Sequence, residues 1–114
     1  TTFGGSHLAC AAAIAVADVV KAENLVENAR KMGEKIVEGI KGVSGIKDIR
    51  GRGLMIGIDL PVELANVKKD LLVKNRIFTG EAKPNVIRIL PALNITKEIA
   101  DQFLTALDER LKAQ

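Results

Sequence analysis

At 114 residues the chain is of single-domain length, enough to bury roughly two thirds of the surface its unfolded form exposes. Hydrophobic residues make up 47% and charged residues 27%, the balance of a globular protein and not of a disordered one. Its 17 basic and 14 acidic residues leave a net charge of +3, but they interleave, as in "KAENLVENARKMGEK", and so describe a solvated surface, not a phosphate-tracking stripe. With aromatics at 3% and neither Trp nor Tyr, there is no stacking platform for single-stranded nucleic acid.

The chain opens "TTFGGSHLAC", with no initiator Met and no charged or signal-like run. The expectation is that Thr1 is not a natural start and that these residues come from the last portion of a longer protein. Ser6, after the Gly4-Gly5 turn, is suited to cap a helix over residues 6–21. That helix, "LACAAAIAVADVV", is apolar on nearly every side, the pattern of a helix buried all round. The remaining elements are expected to cover one side of it well; the other side is expected to face protein outside these residues. Asp18 interrupts the run, so no segment reaches the ~18 apolar residues that a membrane-crossing helix requires. Cys10 is the lone cysteine, which excludes an internal disulfide and fits a reducing cytoplasm. Set among Ala and Leu it reads as a small buried hydrophobe. Nothing completes a nucleophilic or metal-ligating constellation around it and His7, so no metal site is expected.

A second helix is predicted over residues 23–41, where Leu25, Ala29, Met32, Ile36 and Ile40 recur every three or four positions, and it stops at Gly42. "GIKDIRGRGLMIGIDLP" follows, read as two short strands bent at residues 51–53 and ended by Pro61. A helix over residues 62–74 leads to a short strand at 76–78. "TGEAKPN" is then a loop, "VIRIL" a strand, and Pro91 a stop. Thr96 caps a last helix that carries Glu98 in its first turn and turns Ile99, Phe103, Leu107 and Leu111 to the core. This order predicts one α+β domain over residues 1–114, two layers deep, with helices on one face of a small mixed or antiparallel sheet.

Three stretches invite a chemical reading. "GRGLMIG" lacks dinucleotide-binding spacing and does not open a helix, so its glycines read as a sharp bend and a close approach of two segments. In "PNVIRILP" alternation puts Arg88 on the face of Val86 and Leu90. Arg88 is either an edge-strand arginine reaching solvent or a guanidinium that must find an anion, its planar fork suiting a carboxylate. In "TTFGG" the hydroxyls are either part of a cap and turn or donors to a phosphate.

Together "TTFGGSHLACAAAIAV", "IRGRGLMIGIDL" and "PNVIRILPALNIT", in that order with fitting intervals, resemble the C-terminal part of the class-III, pyridoxal-phosphate-dependent aminotransferases of fold type I, and among them the acetylornithine branch. The likeness covers essentially the whole chain. It implies a small C-terminal domain, with residues 1–21 packing on a large domain, in a cytoplasmic homodimer whose active sites lie at the subunit interface. It also implies roles for three residues: Thr2 reaches the cofactor phosphate of the neighbouring subunit, Thr1 beside it contacts substrate, and Arg88 grips a substrate carboxylate. The Schiff-base lysine would lie upstream, so no catalytic residue is expected here and the chain should not transaminate alone. The substrates implied are an amino acid and a 2-oxo acid, namely N-acetylornithine and 2-oxoglutarate in arginine biosynthesis. N-succinylornithine, ornithine, 4-aminobutyrate and succinyl-diaminopimelate stay open as donors, as does a stand-alone, non-catalytic ligand-binding module. Two departures bear on substrate: the family usually shows Asn-Pro where this chain has Ser6-His7, and often a second Pro where it has Ala92.

Overall fold

The computed structural model describes residues 2–113, apart from the side chain of Glu81. Ser6 caps α1 (His7–Ala22) by accepting a hydrogen bond from the Ala9 amide at 3.3 Å. His7 is simply its first helical residue. Asn24, in the left-handed conformation with φ of 52°, turns the chain into α2 (Leu25–Lys41). The amphipathic pattern read from the sequence is realised there: Leu25, Ile36 and Ile40 are buried, and Ala29 and Met32 pack partly against the core. Gly33 is buried as well.

The next two strands, β1 (Asp48–Arg52) and β2 (Met55–Asp59), form a tight hairpin in which Arg52 pairs with Met55. Gly53 takes the turn at φ of +55°. It also explains Gly33, because a Cβ there would fall on the Gly53 carbonyl oxygen. The "GRG" glycines therefore serve a bend and a close approach of α2 to the hairpin.

Between residues 61 and 85 the structure departs from expectation three times. The helix anticipated over 62–74 is split into a 3₁₀ turn (Val62–Leu64) after Pro61 and α3 (Val67–Asn75). The strand anticipated at 76–78 is absent. Arg76 is left-handed at φ of 56°, and the Arg76 and Ile77 amides both reach back to the Leu71 carbonyl. These residues are consumed in closing the helix C-terminus. Finally, β3 (Gly80–Lys83) occupies what reads as a loop. Its Gly, Glu, Ala and Lys have poor strand propensity, and it is antiparallel pairing with β4 (Val86–Ile89) that holds it.

The sheet is antiparallel throughout, in the order β1-β2-β4-β3. This settles the sheet type and makes Arg88 a central-strand residue, not an edge one. Ile56 and Ile58 of β2 and Ile87 and Ile89 of β4 face the helices, meeting Ile36 and Ile40 of α2 and Leu71 of α3. α4 (Lys97–Lys112), capped by Thr96 through the Ile99 amide at 3.4 Å, adds Ala100, Phe103, Leu107 and Leu111 to that core. Ile99 does not follow them: it is 53% exposed, one position off the buried stripe. The α+β, two-layer class stands.

The largest correction concerns α1. No residue of it is buried, Cys10 included. Toward its C-terminal end Val16, Val19 and Val20 line a shallow pocket together with Leu25, Leu93 and Asn94. The helix is about 24 Å long. Its projection accounts for a radius of gyration of 16.5 Å, against about 13 Å for a compact chain of this size. No helix among the described residues is long and apolar enough to cross a membrane.

Candidate functional site

The face of the sheet turned away from the helices carries the charged residues. Strand register aligns four positions across it: Arg50 on β1, Gly57 on β2, Arg88 on β4 and Gly80 on β3. The two arginines of this row are in opposite states. Arg50 makes a two-pronged contact with Asp59, at 2.7 and 2.8 Å, and a further bond to Asp48 at 3.2 Å. That hydrogen bonding holds the Asp59 carboxyl below the usual carboxylate range and raises the already high pKa of Arg50. Arg88 is exposed, and among the described residues no carboxylate pairs with it. Its apolar strand neighbours do not enclose it: Val86 is buried, but Leu90 is 56% exposed.

Arg88 lines a cleft of about 440 Å³ formed where β4, the α3–β3 connection, α2 and α4 meet. Ile36, Ile89 and Phe103 make its apolar wall, and Thr79 and Gly80 lie along the β3 side. The Thr79 hydroxyl is buried, without a hydrogen-bond partner among the described residues. Thr79, Gly80 and the Arg50–Asp59 pair were not singled out from the sequence. The pair was within reach, since a tight hairpin at 53–54 sets residue 50 opposite 57, diagonal to 59. Thr79 and Gly80 were not, because the stretch reads as a loop until β3 is seen to pair.

Thr2 lies in the turn over residues 2–5, exposed, immediately before the N-terminus of α1. Gly5 completes the turn at φ of +78°, and the Ser6 amide donates to the Phe3 carbonyl. An exposed hydroxyl in the turn before a helix N-terminus is suited to an anion in chemical type. Thr1, expected beside it, lies outside the described residues. The structure does not bring Thr2 into the cleft that Arg88 lines: Thr2 stands in the turn before α1, and no described residue of that turn or of α1 lines the cleft. Among the described residues no three His, Cys, Asp or Glu side chains gather as metal ligands.

Comparison with known proteins gives these features a context. The aminotransferase class-III family matches residues 1–111. An acetylornithine aminotransferase of Nitrosomonas europaea is 38% identical over 109 residues, which cover 92% of this chain and 28% of that protein. The solved acetylornithine aminotransferase of Elizabethkingia anophelis superposes with a TM-score of 0.86 at 30% identity, over 100% of this chain and 32% of its own. An ornithine aminotransferase of Toxoplasma gondii, with pyridoxal phosphate at partial occupancy in its active site, superposes with a TM-score of 0.84 at 31% identity, over 99% of this chain and 28% of its own. The chain thus spans about 28% of the length of the curated relative, and its architecture is that of the fold type I aminotransferases on which it superposes.

Proposed function

This chain belongs to the class-III aminotransferases, which are pyridoxal-phosphate-dependent enzymes, and from that premise we propose a function for the whole protein: moving an amino group from N-acetylornithine or N-succinylornithine to 2-oxoglutarate. Residues 1–114 are its small C-terminal domain, and residues 1–21 pack on a large domain elsewhere in the protein. The protein works as a homodimer in the cytoplasm, in arginine biosynthesis. Ornithine is the second reading for the donor, favoured by the likeness to an ornithine aminotransferase.

The observation that carries the reading is Arg88: a central-strand guanidinium, exposed and unpaired among the described residues, two strands along the row from an arginine already neutralised by Asp59. Such a fork has both N–H edges free for a carboxylate. Holding one end of the substrate fixes the reacting amino or oxo carbon relative to the cofactor. Thr2 and the turn amides fit the phosphate end of the cofactor in donor type and in their place at a helix N-terminus. The remainder of its site is provided by other parts of the protein, and Thr1 touches substrate beside it. The cofactor, when bound, supplies the electron sink for amino-group transfer. What these residues contribute is anchoring and orientation.

The test uses the full-length protein. Its visible cofactor absorbance should be lost on adding N-acetylornithine without an acceptor and return with 2-oxoglutarate. No change with that donor, but loss with ornithine, would move the assignment to the second reading. In the same protein Arg88→Ala should raise KM for 2-oxoglutarate by about 10- to 100-fold, the factor expected for losing a hydrogen bond to a charged group.

A further inference from the structure

Arg50 is fixed by carboxylates at both prongs of its fork. Arg88, in the same row, has no such anchor among the described residues, so what sets the direction of its side chain is the surface on which it lies. That surface is Gly80. A Cβ at this position would stand 3.1 Å from Nε of Arg88, 3.5 Å from its Nη2 and 3.2 Å from its carbonyl oxygen. The guanidinium therefore runs directly over the α-carbon of its cross-strand partner on β3. The backbone does not explain this glycine. Gly80 is not among the glycines of positive φ, so any L-residue is conformationally allowed, and glycine weakens a strand. Close approach of Arg88, by its side chain and by its carbonyl oxygen, is what a side chain at this position would disturb.

We infer that Gly80 is a positioning residue for the substrate carboxylate. By presenting no side chain, it lets the Arg88 guanidinium lie flat across β3 on the face of the sheet turned away from the helices. Gly80 touches no substrate and acts through Arg88, so the inference rests on the reading of Arg88 given above. A methyl group at residue 80 meets two neighbours. The Arg88 carbonyl belongs to the sheet ladder and yields little, whereas the side chain is free to swing. The guanidinium is the part that moves.

The experiment is steady-state kinetics of the full-length protein with 2-oxoglutarate as the varied substrate, using Gly80→Ala, Arg88→Ala and the double variant, with thermal melting of each. Gly80→Ala is expected to raise KM about tenfold, the factor that 1.4 kcal/mol of lost interaction produces, with kcat within about twofold. Its melting temperature should change little, because losing the strand-weakening glycine is offset by the methyl group meeting the Arg88 carbonyl oxygen. Added to Arg88→Ala, it should change KM no further. A merely structural glycine would instead lower stability and would act equally in both backgrounds. If Arg88→Ala leaves KM unchanged, the carboxylate role of Arg88 falls and this inference with it. If Arg88→Ala raises KM while Gly80→Ala does not, or if the two effects multiply, the role of Arg88 survives and the positioning role of Gly80 is overturned. Gly80→Ser carries the same Cβ and decides the matter should the alanine protein fold poorly.

Discussion

Helices α1 and α2 are neighbours in sequence and nearly equal in length, at 16 and 17 residues, yet their relation to the core is reversed. α1 is apolar around most of its circumference and buries nothing; Leu8 is 83% exposed and Ile14 63%. α2 is studded with charge and buries Leu25, Gly33, Ile36 and Ile40. The difference lies in pattern, not in amount of hydrophobicity. A periodic stripe specifies a direction, and the sheet of this chain lies in that direction. An all-round apolar helix specifies several partners at once, and four strands and three other helices do not surround it. Composition thus states what a helix needs, while periodicity states what its own domain provides.

The sharpest way to break this comparison is to truncate one side chain in each region. Leu107 of α4 is fully buried in the core that α2 shares. Leu107→Ala should destabilise the 114-residue chain by about 2–5 kcal/mol, read from chemical denaturation. Ile14→Ala removes a comparable side chain from α1 and should change stability by about 0.5 kcal/mol or less. A large loss for Ile14→Ala would mean that α1 finds cover in solution, within the chain or on a second copy. In the whole protein, if α1 docks as proposed, the same substitution should behave like a core truncation.

A somewhat smaller effect is expected where α2 meets the hairpin. Gly33→Ala directs a methyl group at the Gly53 carbonyl, a rigid neighbour, so α2 and the β1–β2 turn must separate. A loss of about 1–3 kcal/mol is expected, with a lower denaturation midpoint and an unchanged slope. A neutral outcome would show that α2 is seated less tightly than the comparison requires.

How much of this was legible beforehand follows the same division. α2 and α4 were readable from their stripes, the hairpin from its glycines, and Thr96 as a cap from its place before Glu98. All of these are local signals. What was hidden depends on distant partners: β3, whose residues favour no strand and which exists because β4 lies beside it; the loss of a strand at 76–78 to the closing turn of α3; and the Gly80–Arg88 approach, which follows from that pairing. The displacement of Ile99 from the core is subtler, a shift of one residue in a stripe that Ala100 completes. Arg88 could be singled out early because alternation and residue chemistry are both local, although its central position in the sheet, set by the pairing of β3 with β4, was not.

The finest distinction between the two regions lies in their caps, which are chemically alike. Ser6 accepts from the Ala9 amide at 3.3 Å and Thr96 from the Ile99 amide at 3.4 Å. Replacing such a cap by alanine costs about 1 kcal/mol of helix stability, but where that cost is felt depends on what the helix is coupled to. α4 unfolds only with the core, since Ala100, Phe103, Leu107 and Leu111 are part of it. Thr96→Ala should therefore lower the global unfolding midpoint. α1 is free to fray alone, so Ser6→Ala should reduce far-ultraviolet helicity and speed amide exchange in the first turns of α1 while leaving the midpoint of the core in place. If both substitutions shift the midpoint equally, α1 belongs to the same cooperative unit as the core. If Ser6→Ala acts on the midpoint only in the full-length protein, α1 acquires its cooperativity from residues outside this chain, which is the arrangement its sequence calls for.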